Sequence, residues 1–352
     1  MPRNSSRTGR YRRRARPSGE RVLTAPSDLG RDELTAELAR GWGFRCVTLE
    51  YLPVGFGSHH WQATDARGLR RFVTVDDLEA GFQAGSEPDA AFAAMERAFA
   101  TAAFLRDEAE LEFVVAPLLD EAGAVIRRLT DRYALTVLPF VQGTSGAFGS
   151  YESADDRRRV GGLLGRLHAA TEHVPPSLPR TEEFAIPSRD VLLRALDHLD
   201  RPWSTGPFAE PARQQLRAAA REIATRLEQY DELVGEVRAS SGSWVLTHGE
   251  PHSANVLRSE DDRLYLVDWD TTLIAPRERD LRMVLDGELT GWDDYVAAGR
   301  AASLNEEAMQ LYRLWWDLSE IATYADLFRR PHERTADTVA SWGYFMASLP
   351  KA

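Results

Sequence analysis

Two segments constrain this chain more than anything else in it. One is Trp244-Val245-Leu246-Thr247-His248-Gly249-Glu250-Pro251-His252-Ser253-Ala254-Asn255-Val256-Leu257, and the other is Leu266-Val267-Asp268-Trp269-Asp270. Each reads as an apolar strand that opens into a polar loop. The stretch from Ser259 to Arg263 between them reads as a turn, so the two are expected to be neighbouring strands of one hairpin. Their polar ends would then converge. A glutamate, an asparagine and an aspartate at one mouth form a hard-oxygen donor set suited to divalent cations and phosphate.

The spacing narrows the chemistry. Protein kinases carry His-x-Asp, then four residues, then Asn, and later a metal-binding Asp. Here His248-Gly249-Glu250 is followed after four residues by Asn255, and Asp268 comes thirteen residues after Asn255. With Asp268-Trp269-Asp270, Ala275-Pro276, Glu278-Arg279-Asp280-Leu281 and Leu164-Gly165-Arg166-Leu167-His168-Ala169, the chain resembles the aminoglycoside phosphotransferase family. It looks most like the branch that includes spectinomycin phosphotransferases. The resemblance spans roughly residues 45 to 320. It implies a bilobal α+β kinase-like fold, ATP and Mg²⁺ as cofactors, and phosphoryl transfer to a hydroxyl of a small molecule.

Carried onto this chain, the resemblance makes Glu250 the general base and Asn255 and Asp268 the metal ligands. Asp270 could order a metal-bound water or cap the following turn. His248 is expected to be a buried scaffold residue, and Asp280 to tie the catalytic loop from below. His252 would line the substrate side, and His168 would be a packed helix histidine. Two departures stand out. Glu250 occupies the usual Asp position, and its longer stem needs the loop to recede by about 1 Å, a scale of misplacement that can cost on the order of 100-fold in rate. Thr74, in Phe72-Val73-Thr74-Val75, occupies the position of the usual ATP-binding lysine, and Lys351 is the sole lysine of the chain.

The remaining nucleotide contacts are expected from Gly55, Gly57 and Ser58, whose backbone amides can approach phosphates closely, and from the hinge around Pro139 and Val141. In place of the lysine, His59, His60, Arg70 and Arg71 are the nearby cations, with His59 and Arg71 preferred. Glu96 on an alanine-rich helix resembles the usual lysine partner and could equally be solvated. Asp317 and Glu320, among Trp315, Trp316, Tyr324 and Asp326, are the acids placed to meet a cationic acceptor, although aromatics at helical spacing also suit a core.

Two other readings compete. A degenerate kinase-like protein would bind nucleotide or ligand without efficient transfer, and the missing lysine favours it. A hydrolase using Glu250 and Asp268 would work without ATP.

Composition bounds the rest. A chain of 352 residues is long enough for two compact units. The formal charge of -11 disfavours nucleic-acid binding and suits a cationic small molecule. A single cysteine, Cys46, rules out an internal disulfide and fits a cytoplasmic home. No apolar run reaches the roughly 18 residues of a membrane span. Residues 1–22 hold eight arginines and read as a disordered basic tail.

Along the chain, 23–139 reads as a β-rich nucleotide lobe and 140–352 as a mainly helical catalytic and substrate-binding lobe. Helices are expected over 31–42, 90–108, 154–170, 188–199, 211–228 and 306–328. Strands are expected over 46–52, 58–65, 70–75, 114–118, 124–129 and 133–138. Residues 139–146 read as the hinge, whose backbone could hold an adenine.

Overall fold

Leu34 and Leu38 share one side of α1 (Arg31–Trp42), and that stripe seats the helix on a sheet. The helix stops where Gly43 takes a φ of 59° and returns its N–H to Leu38 O, a glycine cap. β1 (Cys46–Leu52), β2 (Ser58–Asp65) and β3 (Arg70–Asp77) follow as antiparallel neighbours. α2 (Pro88–Asp107) is rich in alanine and starts with proline, where the missing N–H is harmless. β4 (Arg127–Arg128) and β5 (Tyr133–Pro139) complete a five-stranded antiparallel sheet of order β1-β2-β3-β5-β4. The computed structural model describes residues 24–55, 57–79, 87–149, 151–240, 244–299 and 303–350. The basic tail over 1–22 and Phe56 in the glycine loop lie outside them.

The side-chain alternation of β3 decides what the sheet offers the cleft. Val73 and Val75 join Leu34, Leu38, Leu135 and Val137 in the core behind the sheet. Thr74 and Asp76 therefore face the other way.

The second half contains β6 (Gly143–Ser145), α3 (Ala154–Ala169), β7 (Arg180–Thr181), α4 (Arg189–Asp197), α5 (Ala209–Ala239), β8 (Val245–Thr247), β9 (Val256–Ser259), β10 (Leu264–Leu266), β11 (Leu273–Ala275), α6 (Glu278–Val284), α7 (Trp292–Ala298), α8 (Glu306–Arg329) and α9 (Ala336–Ser348). Its short strands form two three-stranded sheets, β10-β9-β6 and β7-β11-β8. One apolar cluster joins α2 and α3 to the strands below the cleft through Phe99, Leu164, Leu266 and Trp269. Another packs α4, α5, α8 and α9 through Leu192, Ile223, Ile321 and Phe345. No helix among the described residues is long and apolar enough to cross a membrane.

Several expectations change. The turn at Ser259–Arg263 does close a hairpin, but its arms are β9 and β10. The strand before His248, β8, pairs instead with β11, beyond the Asp268 loop. Residues 114–118 form no strand; a single bridge joins Val114 to Leu266. The strand expected over 124–129 shrinks to Arg127–Arg128. Residues 143–145, within the stretch expected as a hinge, form β6, which pairs with β9 of the hairpin. α5 runs well past Glu228 because Tyr230, Leu233 and Val237 continue its buried stripe.

Candidate active site

The loop His248-Gly249-Glu250 leaves β8 and is held from beneath by one carboxylate. Asp280, at the start of α6 and fully buried, accepts the His248 N–H at 2.8 Å and the Gly249 N–H at 2.6 Å. His168 Nε2 meets the same carboxyl at 3.0 Å, while His168 Nδ1 meets the Tyr295 hydroxyl at 2.9 Å. Burial would raise the Asp280 pKa, but His168, His248 and Arg279 outweigh it and hold the carboxyl below its ordinary value. Gly249 is obligatory here. Its φ is 103°, and a Cβ would lie 2.3 Å from Arg279 Nη1 and 2.5 Å from Thr271 Oγ1.

The His248 ring bridges the two motif segments. Its Nε2 donates to Val267 O at 2.8 Å, and its Nδ1 accepts the Glu250 N–H at 3.3 Å. Burial pushes its pKa down to about 4, so it works as a neutral strut. Arg279 adds a brace, donating to Thr247 Oγ1 at 2.9 Å and Thr271 O at 3.0 Å.

Asn255 ends a 3₁₀ turn and is 8% exposed. Its amide donates to Glu250 O at 3.0 Å and to Asp268 Oδ2 at 3.3 Å. These bonds leave the Asn255 amide oxygen and the second Asp268 oxygen as hard donors. Asp268 follows β10, opens onto the cleft, and has a φ of 70°, a left-handed conformation that few non-glycine residues adopt. Crowding by protein, then the carboxylates of Asp270, Glu250 and Asp76, push its pKa well above the usual range. Like charges gathered this closely favour a cation among them. An amide oxygen and a carboxylate with open positions fit Mg²⁺, which keeps phosphate and water ligands.

Glu250 is half-buried, and its Oε2 lies 3.7 Å from His252 Nε2. Burial alone would raise its pKa, but His252, Arg279 and Arg282 more than offset that and leave it below its ordinary value. The carboxylate is thus charged at neutral pH and able to take a proton. His252 is 5% exposed and lies against Phe148 at a ring separation of 4.3 Å. Burial first, then Glu250, raise Asp270 to about 6, against the opposing charge of Arg180.

The roof differs from expectation. Arg71 lies behind the sheet, with its guanidinium over Phe44 at 5.8 Å. His59 shares that rear face and meets the Tyr51 hydroxyl at 3.1 Å. Both side chains point away from Thr74, because the strand repeat is two residues. On the Thr74 face stand His60, whose Nδ1 is 3.3 Å from Thr74 Oγ1, and Arg70, which stacks 4.2 Å over Phe140 at the hinge end. Burial lowers His60 to about 4, so it is neutral. Gly55 and Gly57 have φ values of 80° and 78° and shape the loop above. Ser58 Oγ donates to Asp76 Oδ1 at 2.5 Å. Glu96 is exposed on α2 and makes no hydrogen bond or ion pair among the described residues. Pro139 ends β5 and Val141 follows it, both half-buried.

On α8 the expected acids divide. Asp317 is half-exposed and meets Arg226 of α5 at 3.4 Å. Glu320 is 2% exposed, so an acceptor could reach it only if α8 moved. Trp315 and Tyr324 belong to the core, whereas Trp316 stacks with Phe148 at 6.3 Å. Three residues near the cleft carry no signal in the sequence. Asp76 is 6% exposed, its Oδ2 has no partner among the described residues, and burial raises it to about 7. Arg180 and Arg282 flank the cleft, and packing between distant elements brings them there.

A family model described as the phosphotransferase enzyme family matches residues 48–315. Protein StrN of Streptomyces griseus is 28% identical over 259 residues, which cover 70% of this chain and 75% of that protein. Among solved structures, spectinomycin phosphotransferase APH(9)-Ia in complex with ADP and spectinomycin superposes with a TM-score of 0.70 at 17% identity, covering 91% of this chain and 94% of that one. Amicoumacin kinase hAmiN in complex with AMP-PNP, Ca²⁺ and Ami gives 0.57 at 13% identity, covering 91% and 93%. The fold is therefore kinase-like, and the chain belongs to the phosphotransferase enzyme family, whose members act on small molecules.

Proposed function

We propose that this protein moves the γ-phosphoryl group of ATP, with Mg²⁺, to a hydroxyl of a small polar molecule. The observation that carries this is the convergence of Glu250, Asn255 and Asp268, joined through the Asn255 amide. Asn255 and Asp268 would hold Mg²⁺, which when bound draws charge from the phosphate oxygens. Glu250 orients the acceptor hydroxyl and takes its proton as the new oxygen–phosphorus bond forms and the bond to the ADP oxygen breaks. Asp280 and His248 hold the loop that carries Glu250. The ADP-bound and AMP-PNP-bound states of the structural neighbours support the nucleotide assignment. Asp317 is the acid of α8 that a cationic group on the acceptor would meet first. We place the lobe boundary near residue 139, with the nucleotide between Gly55, Gly57, Ser58 and the hinge at Pro139 and Val141.

One observation favours a weaker catalyst. The Thr74 face of the sheet presents a neutral His60 and an Asp76 oxygen without a partner among the described residues, where a lysine is usual. A protein that binds nucleotide with slow transfer is the second reading.

Calorimetric titration of MgATP, paired with ADP release in the presence of aminated polyols, tests the proposal. Thr74→Lys is the companion variant, expected to bind MgATP as tightly as wild type or tighter. If neither form binds at millimolar concentration, the phosphotransfer reading is wrong.

A further inference from the structure

Arg282 of α6 sits beside the proposed base, and its guanidinium lies over the Trp316 ring at 4.9 Å. Trp316 stacks with Phe148, Phe148 lies on His252, and His252 lies against Glu250. These contacts close a wall around one side of the Glu250 carboxylate. Within it, Arg282 Nε and Nη2 are buried without a hydrogen-bond partner among the described residues, and so is His252 Nδ1. Arg282 interacts electrostatically with Glu250, Asp280 and Asp317, yet forms no ion pair with any of them among the described residues.

Buried donors left unsatisfied are rare, because each loses its water without replacement. A guanidinium whose plane is fixed by an indole cannot turn away cheaply. Its free edge suits two oxygens of one anion. Arg282 stands on the side of Glu250 walled by α8, the helix whose residues line the acceptor side in the proposed reaction.

On that reading, we propose that Arg282 is a specificity residue that binds a carboxylate or phosphate group carried by the acceptor, near the hydroxyl that receives the phosphoryl group. Trp316 and Phe148 set its plane, and His252 offers a second polar contact through Nδ1. The acceptor is then a hydroxylated acid or phosphate ester.

Binding of three matched probes tests this: glycerate, glycerol and 3-amino-1,2-propanediol. Each is titrated calorimetrically into the full chain saturated with MgADP. Inorganic phosphate with MgADP forms a fourth arm and imitates the group in transit. Wild type is expected to bind glycerate in the millimolar range, at least about 10-fold more tightly than glycerol or 3-amino-1,2-propanediol. Arg282→Gln should bind glycerate at least about 10-fold more weakly, and Arg282→Lys should recover part of that loss. MgADP affinity should be the same in all three proteins, which reports an intact fold. The proposal is overturned if glycerate fails to bind wild type, or binds Arg282→Gln equally well. It is also overturned if inorganic phosphate alone shows the Arg282 dependence, which would assign the residue to the transferred group. Failure of MgADP to bind at all would instead sink the nucleotide reading, and the probes would then be titrated into the free protein.

Discussion

Asp280 holds Gly249 through a 2.6 Å bond from the Gly249 N–H to Oδ1, with its other oxygen on the His248 N–H. The loop that carries the proposed base is therefore held from α6, by a carboxylate 31 residues beyond Gly249. Removing the charge while keeping the shape should expose this. Asp280→Asn would turn a donor toward N–H groups that need an acceptor. Bonds to a buried charge are worth about 1.5–3 kcal/mol each, so a loss on that scale is expected. Thermal melting checks it, and turnover should fall more than MgATP affinity does.

Glu250→Gln keeps size and hydrogen-bonding reach but cannot accept a proton. Phosphoryl transfer should slow by at least about 100-fold, with MgATP binding nearly unchanged. Rapid-quench single-turnover rates decide this. Wild-type rates in the variant would leave Glu250 as scaffolding.

Asp268→Asn should abolish the Mg²⁺ dependence of nucleotide binding while leaving the fold intact. The amide of Asn255 now donates to Asp268, and an asparagine there can still accept that bond. Titration of ATP with and without Mg²⁺ is the measurement. Equal metal dependence in the variant would remove Asp268 from the site.

Asp76 carries a pH signature. Its folded pKa is raised from 3.8 to about 7 by burial, with one oxygen lacking a partner among the described residues. A raised carboxyl contributes stability below the unfolded pKa and loses it as pH rises through the folded value. The unfolded chain therefore gains on the folded one between about pH 4 and 7. Asp76→Asn should be close to neutral near about pH 4. Near about pH 8 it should stabilise by a few kcal/mol, since each pH unit between the two pKa values is worth about 1.4 kcal/mol. Denaturant titrations at both values, in chelator, check the sign. No gain at the higher pH would mean that Asp76 is already paired with a cation or water.

Much of the fold and of the candidate site is legible as spacing along the chain. The order of Glu250, Asn255 and Asp268 carried the family resemblance, because a loop that brings those oxygens together needs that order. Local periodicity marked α1, α3, α8 and the meander from β1 to β3, since each buries a single face against one neighbour. His248, His168 and Asp280 were legible as scaffold because they lie within the motifs themselves.

The charges around the candidate site came instead from packing. Strand parity turned Arg71 and His59 behind the sheet and left Asp76 facing the cleft. The adjacency of Arg70 and Arg71 says that only one can face it, but not which. Packing of α6 on α8 brought Arg282 over Trp316, and the pairing of β7 with β11 brought Arg180 to Asp270. These partners stand far apart in the sequence, and a sequence pattern records spacing along the chain. The field at the site depends on distances through space, which arise only when the helices and small sheets have closed on one another.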